Sequence, residues 1–358
     1  MYSDLTNWCI DQGSSVLDAM TRMDSSRLGI VLVVDEDRRL VGTITDGDVR
    51  RAILANVDLK QPVSALLTRK ASSCYAQPIA APVGADRSTY LRLLRQHSIL
   101  HLPLLDENGR VAGLVRLDDF VPDRMLSLQA VVMAGGMGSR LRPLTEELPK
   151  PMLPVGDRPL MEIMIEQLRD AGIRRVNVTT HHNGEKITEH FGDGQEFGVE
   201  LTYVTEDRPL GTAGALGLMG SPAETILVIN GDILTQVDFR AMLAFHHEQR
   251  ADLTMAVRQY DLQVPYGVVE CEGTSVRRLT EKPMLNFLVN AGIYLLEPVV
   301  YRFISNGEPF DMTDLIQRLL DAGRSVASFP IHEYWLDIGQ HADYEQAQAH
   351  VKKWKPRP

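Results

Sequence analysis

The apolar positions of the chain fall into two unlike patterns. Up to about residue 122 they form a unit that repeats. Residues 30–49, "IVLVVDEDRRLVGTITDGDV", run as an apolar stretch, an acidic turn, a second apolar stretch with a glycine, and an aspartate. Residues 100–120, "LHLPLLDENGRVAGLVRLDDF", do the same, and Gly42 and Asp48 recur as Gly113 and Asp119 at a constant offset of 71. Helical patterns precede both stretches, "SSVLDAMTRM" and "STYLRLLRQHS". A helix, a hairpin and a second helix, twice, predict a tandem module. "VDEDRR" and "LLDENG" carry the residues that hairpin turns need, and their charges read as solvated.

From about residue 127 the repeat stops and strands alternate with helices. "LQAVVMAG", "RVNVTTH", "ELTYVTE", "TILVINGD", "ADLTMAVRQ", "YGVVECE" and "LVNAGIYLL" read as strands. "PLMEIMIEQLRDAGI" puts Leu160, Ile163, Met164 and Leu168 on one helical face, and "VDFRAMLAFHHEQ" is a second helix. This alternation predicts an α/β, doubly wound sheet, with ligands beyond the carboxyl ends of its strands.

The first of these strands breaks into "GGMGSRLRPLTEELPKPMLPVG". A Walker loop fails, because Arg140 stands where its second glycine belongs. A dinucleotide fingerprint fails too, because Leu141 replaces its last glycine. Glycines 135, 136 and 138 still allow backbone N–H groups to approach an anion. Arg140 offers a fork suited to phosphate oxygens. Lys150 lies between Pro149 and Pro151, and a following proline predicts an extended backbone for it. Arg142 either reaches phosphate or pairs with Glu146 or Glu147.

Charge makes that loop stand out. The formal net charge is -10, which argues against a general nucleic-acid binder. Positive partners for an anionic substrate are therefore local. Cys9, Cys74 and Cys271 are far apart and form neither a metal spacing nor a disulfide framework, as expected in a reducing compartment. The N-terminus carries no signal-peptide pattern, and no apolar run approaches the ~20 residues that span a bilayer. A cytoplasmic protein without a membrane partner is expected.

The long pattern "GGMGSRLRPLT…LPKPMLPVG" resembles the signature of the sugar-1-phosphate nucleotidyltransferases, and the repeat over about residues 8–122 resembles a CBS-domain pair. The resemblance implies a tandem CBS (α+β) domain over 1–122, a linker at 123–127 and a Rossmann-like mixed-sheet domain over 128–358. It implies Mg²⁺ held by Asp232, at the end of "ILVINGDIL", and Asp337, in "WLDIGQHADYEQA"; taken by itself, Asp232 could equally cap a turn. It gives Arg140, Lys150 and Asp232 catalytic roles. The nucleotide would be bound by Ala134, Gly135, Gly136, Gly138, Ser139, Glu206, Gly211, Thr212, Ala213 and Gly231. The small residues of "PLGTAG" suit either close approach to a base or a tight strand-to-helix turn. Gly267, Glu281, Lys282, Asn290 and Gly292 would hold the sugar phosphate. The pairs His181–His182 and His246–His247 lack a partner set and read as loop and helix surface.

CBS pairs often bind adenine nucleotides and often dimerise. The first repeat keeps Thr45 and Asp48 of that family's nucleotide motif. The second keeps Asp119 but has Arg116 in the hydroxyl position, so that half is either degenerate or a phosphate contact. A regulatory purine nucleotide and a homo-oligomer are the partners this implies. For the reaction, the resemblance implies a nucleoside triphosphate and a sugar 1-phosphate as substrates. "PLGTAG" and the fused CBS pair are similar to guanylyltransferases that use glucosamine 1-phosphate. Mannose 1-phosphate, and UTP or CTP, are the alternatives. A nucleotide-sensing regulator without activity is the reading of a different class.

Overall fold

A computed structural model describes residues 8–26, 28–71, 76–97, 99–120, 126, 128–305 and 307–352. Cys74 and all of the expected 123–127 linker but Leu126 lie outside the described residues. The chain divides into two compact units, Met1–Arg124 and Met125–Pro358.

The front unit is the repeat. Its first copy runs β1 (Cys9–Asp11), α1 (Val16–Ser26), β2 (Ile30–Val34), β3 (Leu40–Thr45), α2 (Asp46–Leu54) and α3 (Val63–Lys70). The second runs β4 (Ala81–Pro82), α4 (Arg87–Gln96), β5 (His101–Leu105) and β6 (Val111–Arg116). After β6 a single 3-10 turn, Leu117–Asp119, is described; the rest of the expected second helix lies outside the described residues. Each copy makes a three-stranded sheet, β1-β2-β3 and β4-β5-β6. The offset of 71 extends to detail: the bulge between Val33 and Val34 returns between Leu104 and Leu105. The turn tips exchange reciprocal bonds, Leu40 N to Gly109 O (3.3 Å) and Val111 N to Arg38 O (3.0 Å), which is the contact a pseudo-twofold axis makes. Ile30, Leu32, Val111 and Leu114 share a core across the repeats.

In the back unit the strands come as β7 (Gln129–Met133), β8 (Pro154–Val155), β9 (Arg158–Pro159), β10 (Arg175–Thr180), β11 (Glu200–Thr205), β12 (Ile226–Asn230), β13 (Ile233–Thr235), β14 (Leu253–Gln263), β15 (Val268–Glu272), β16 (Ser275–Thr280), β17 (Met284–Leu296), β18 (Val326–Ile331) and β19 (Trp335–Asp337). The helices are α5 (Leu160–Asp170), α6 (Gly184–Phe191), α7 (Gly211–Gly214), α8 (Phe239–Gln249), α9 (Met312–Asp321) and α10 (His341–Val351). Seven strands form one mixed sheet in the order β11-β10-β7-β12-β17-β14-β18. β11, β10, β7 and β12 are parallel, and β17 enters antiparallel. Chain order reverses between β7 and β12, so the crevice beyond their carboxyl ends is the switch point where such sheets take ligands. The four residues that share a face of α5 are all buried. "YGVVECE" is a strand, but outside the main sheet: among the described residues it pairs with β16 alone. No described helix is long and apolar enough to cross a membrane.

Candidate active site

Three segments converge on the switch point. The glycine loop leaves β7, and Ala134 N still bonds Thr179 O of β10 (3.0 Å). Gly138 then turns with φ 62°, a conformation glycine adopts without strain. A side chain there would meet Thr145, whose hydroxyl donates to Gly138 O (2.7 Å) and so pins the turn. Gly136 faces open space. Arg140 follows in a 3-10 turn that is anchored by buried Leu141.

The second segment brings Lys150. Contrary to the extended backbone expected before Pro151, Lys150–Met152 is a 3-10 turn, and Pro149 is the extended residue. Pro151 sits in the turn's first positions, where no N–H is required. The turn buries Lys150 to 8% exposure and points its ammonium inward.

Asp232 and Asp337 are the third element. Gly231 N bonds Met133 O (2.9 Å), which holds the ends of β12 and β7 together. β13 pairs with β19, Ile233 opposite Asp337, and Ile338 N bonds Asp232 O (3.0 Å). The ladder thus makes neighbours of carboxylates that are remote in sequence. Lys150 Nζ lies 2.5 Å from Asp232 Oδ2 and 3.9 Å from Asp337 Oδ1. Burial, and then the charge of Asp232, push the Asp337 carboxyl above its ordinary range, against the pull of Lys150 and Arg140. Asp232 Oδ1 is buried without a hydrogen-bond partner among the described residues. A buried carboxylate oxygen in that state is costly unless a cation reaches it. The cleft above, about 220 Å³, is lined by the glycine loop, Ser139, Arg140, Lys150, Asp232 and Gly339.

Arg142 is exposed and does not line this cleft, and among the described residues it has no ion pair with Glu146 or Glu147. Glu206 is buried; one carboxylate oxygen accepts from Leu210 N (2.9 Å), the other lies against Gly135, and burial raises its pKa. It therefore links the glycine loop to the 210–214 turn. In that turn Thr212 N donates to Asp311 Oδ1 (3.0 Å), and Ala213 N and Gly214 N to Phe310 O (2.9 and 2.8 Å). These donors are already used, so the turn can offer a base only its other faces.

Gly292, with φ 70°, lies against Asn230 at the end of β12; Asn290 Oδ1 accepts from Gly292 N (3.0 Å). Gly267 and Glu281 are neighbours, and Lys282 adopts φ 43°, but none of the three lines the cleft. His246 is not on the helix surface as expected. It is 1% exposed, with Nδ1 2.7 Å from Thr254 Oγ1 and Nε2 3.0 Å from Glu297 Oε1. Burial lowers its pKa against the pull of Glu297.

In the front unit, Thr45 N and Oγ1 both donate to Asp48 Oδ2 (2.9 Å each). Lys70 Nζ adds a bond to Oδ2 and Arg51 Nη2 one to Oδ1, each 2.8 Å. Burial raises the Asp48 pKa, but Lys70 and the hydrogen bonds outweigh it, and the carboxyl sits below its ordinary range. Asp119 repeats the local bond, accepting from Arg116 N (3.0 Å).

Comparison with known proteins agrees with this division. The profile of the nucleotidyl transferase family matches residues 129–353, and that of the CBS domain matches 4–55 and 77–122. A UTP–glucose-1-phosphate uridylyltransferase of Synechocystis is 34% identical over 62% of this chain, which spans only 62% of that relative's length. A D-glycero-alpha-D-manno-heptose 1-phosphate guanylyltransferase of Aneurinibacillus thermoaerophilus is 30% identical over 63% of this chain and all of its own. Among solved structures, a putative glucose-1-phosphate thymidylyltransferase of Bacillus anthracis superposes with a TM-score of 0.53, at 26% identity, over 65% of this chain and 98% of its own.

Proposed function

The chain belongs to the nucleotidyl transferase family and carries a CBS pair ahead of that domain; we propose that it joins a nucleoside triphosphate to a sugar 1-phosphate, giving a nucleotide sugar and pyrophosphate. The observation that carries this reading is the lysine shared by Asp232 and Asp337 on the floor of the glycine-loop cleft. The transferase domain would run from about residue 128, behind the 123–127 linker.

The sugar phosphate oxygen is already an anion, so its attack on the α-phosphorus needs no protein nucleophile. What the chain supplies is position and charge. The N–H groups of the glycine loop and the Arg140 fork hold the two phosphates that leave. Lys150, held rigid by its burial, places one positive charge at the α-phosphate. Gly267, Glu281, Lys282, Asn290 and Gly292 would hold the sugar phosphate on the other side. The two acids with the buried, unpartnered Asp232 Oδ1 suit a magnesium ion, which when bound would offset the repulsion between the two anionic substrates.

GTP and glucosamine 1-phosphate are the proposed pair, with mannose 1-phosphate second. The "PLGTAG" turn and the guanylyltransferase relative support guanine; the uridylyltransferase relative keeps UTP in the panel. Pyrophosphate release by the full chain with Mg²⁺, across five nucleoside triphosphates and a set of sugar 1-phosphates, tests this. GTP with glucosamine 1-phosphate should give the highest kcat/KM. Release with no pair would end the transferase reading and favour an inactive nucleotide sensor.

A further inference from the structure

The 210–214 turn takes its shape from residues 310–312, a segment remote in the chain. Phe310 N donates to Leu210 O (2.8 Å), and Phe310 O accepts from Ala213 N and Gly214 N. Asp311 Oδ1 accepts from Thr212 N (3.0 Å) and from Thr212 Oγ1 (3.3 Å), and that hydroxyl in turn accepts from Met312 N (2.8 Å). Met312 opens α9, and the first N–H groups of a helix have no partner within it. The two segments therefore satisfy each other. Their approach is close: a Cβ on Gly211, which has φ 76°, would stand 2.5 Å from Asp311 Oδ1 and 2.9 Å from Phe310 O. Phe310 is itself fixed, buried in one core cluster with Ala213 and Met312, with the Arg318 guanidinium 4.4 Å over its ring. At its near end the turn meets the cleft: Leu210 N donates to Glu206, which lies against Gly135. One side chain thus separates the turn from the glycine loop.

We propose that Asp311 is a positioning residue for the nucleoside end of the triphosphate. The assignment rests on reading the cleft as a nucleotidyl transferase site. Asp311 acts through Thr212: with Phe310 it fixes the turn before the base arrives. A turn that moved would have to be ordered by the ligand, and that ordering is subtracted from affinity. Phe310 does its part with buried backbone. Asp311 does so with an exposed carboxylate, and exposed side chains contribute little to folding. Its contribution is therefore to be sought in binding, and a substitution can remove it without opening the core.

The test separates the two ends of the ligand. Calorimetry on the full chain with Mg²⁺ compares GTP and UTP with inorganic tripolyphosphate, which has no nucleoside. Asp311→Ala should weaken the tighter of the two nucleotides about tenfold, the scale of a hydrogen bond to a charged group, and leave tripolyphosphate as in the parent. Asp311→Asn keeps an acceptor at Oδ1 and should restore most of the loss. Asp314→Ala controls for the start of α9: Asp314 Oδ2 accepts from Asp311 N (3.2 Å), and its removal should leave all three ligands unchanged. Binding does not need turnover. A chain that binds GTP and releases no pyrophosphate therefore ends the transferase reading, while the Asp311 comparison still decides this one. Four results overturn the proposal. One is unchanged nucleotide affinity in Asp311→Ala. A second is an equal loss for nucleotide and tripolyphosphate, which means a disturbance of the whole cleft. A third is an Asp314→Ala chain that loses as much as Asp311→Ala, which means that only the helix start matters. The last is a parent that binds neither nucleotide more tightly than tripolyphosphate, since no nucleoside is then held.

Discussion

Each unit holds a carboxylate beside a lysine, and the two clusters are finished differently. Around Asp48, Thr45 and Lys70 serve one oxygen and Arg51 the other, and the pKa falls. At the switch point a single lysine serves two carboxylates, one oxygen is buried without a partner, and the Asp337 pKa rises. A closed cluster holds a fold together. An open one keeps unspent negative charge and a fixed positive charge in the same cleft, which is what binding a cation and a phosphate together requires. The cause lies in chain geometry: Thr45, Asp48 and Arg51 share one helix start, whereas Lys150, Asp232 and Asp337 arrive on three separate segments.

Breaking the closed cluster should cost most. Asp48→Ala leaves Lys70 buried without its carboxylate, and losing one partner of a buried pair costs about 3–5 kcal/mol. The front unit's melting transition should drop accordingly. The pH sign follows from a depressed pKa: this contribution is present above about pH 4, where an unfolded aspartate is ionised, and is lost as pH falls through the lower folded value. The same variant bears on a purine nucleotide at Thr45, Asp48 and Asp119, which would have to displace Lys70 or Arg51. Calorimetry with AMP, ATP and GMP should find binding outside the catalytic cleft, coupled to substrate affinity by about 5- to 150-fold and abolished in Asp48→Ala. No such binding would leave the closed cluster purely structural.

Next comes the open cluster. Asp232→Asn removes the nearest carboxylate of a buried lysine but leaves Asp337 beside it, so it should lower melting less than Asp48→Ala does, and it should lower turnover by about 10²–10³-fold, the scale of removing one preorganised electrostatic group. Turnover near the parent's would make this pair a second structural bridge. Lys150→Ala should lower kcat/KM by ~10²-fold. Lys150→Arg should recover little, because a planar fork does not fit where a compact ammonium sits between two carboxylates. Full recovery would mean that the position supplies only diffuse charge.

The contrast between the clusters was partly legible in the sequence. The offset of 71 exposed the repeat, and a contiguous glycine–arginine–lysine pattern marked residues that line one cleft, since both are local in the chain. The burial of Lys150 between two acids was not legible, because the β13–β19 ladder that assembles it joins distant segments. Pro151 does not force an extended backbone on Lys150, since a proline in the first positions of a turn removes an N–H that needs no partner. The burial of His246 has no local signal, because its partners, Thr254 and Glu297, come from β14 and from just past the end of β17. Asp311, which accepts from Thr212 N, lies 99 residues farther along the chain at the start of α9, so no local pattern marks it.

The smallest effect separates the two clusters in kind. In the closed cluster, removing the carboxylate destabilises; in the open one, neutralising Asp337 should do the reverse. Its pKa is raised by burial and by Asp232, so ionising it costs more in the folded chain than in the unfolded one. Asp337→Asn keeps the shape and removes the repulsion. The side chain is 48% exposed, so solvent screening limits the gain to less than about 1 kcal/mol. The metal-free variant should therefore melt slightly higher than the parent, although its turnover falls. Added Mg²⁺ should reverse the order, because an ion that binds the folded state stabilises it in proportion to its affinity, and the variant has lost a ligand. Thermal melts with and without Mg²⁺ read this without reference to activity. A metal-free variant that melts several degrees below the parent would mean that Lys150 depends on both carboxylates for its burial, and the switch-point cluster would be closed after all.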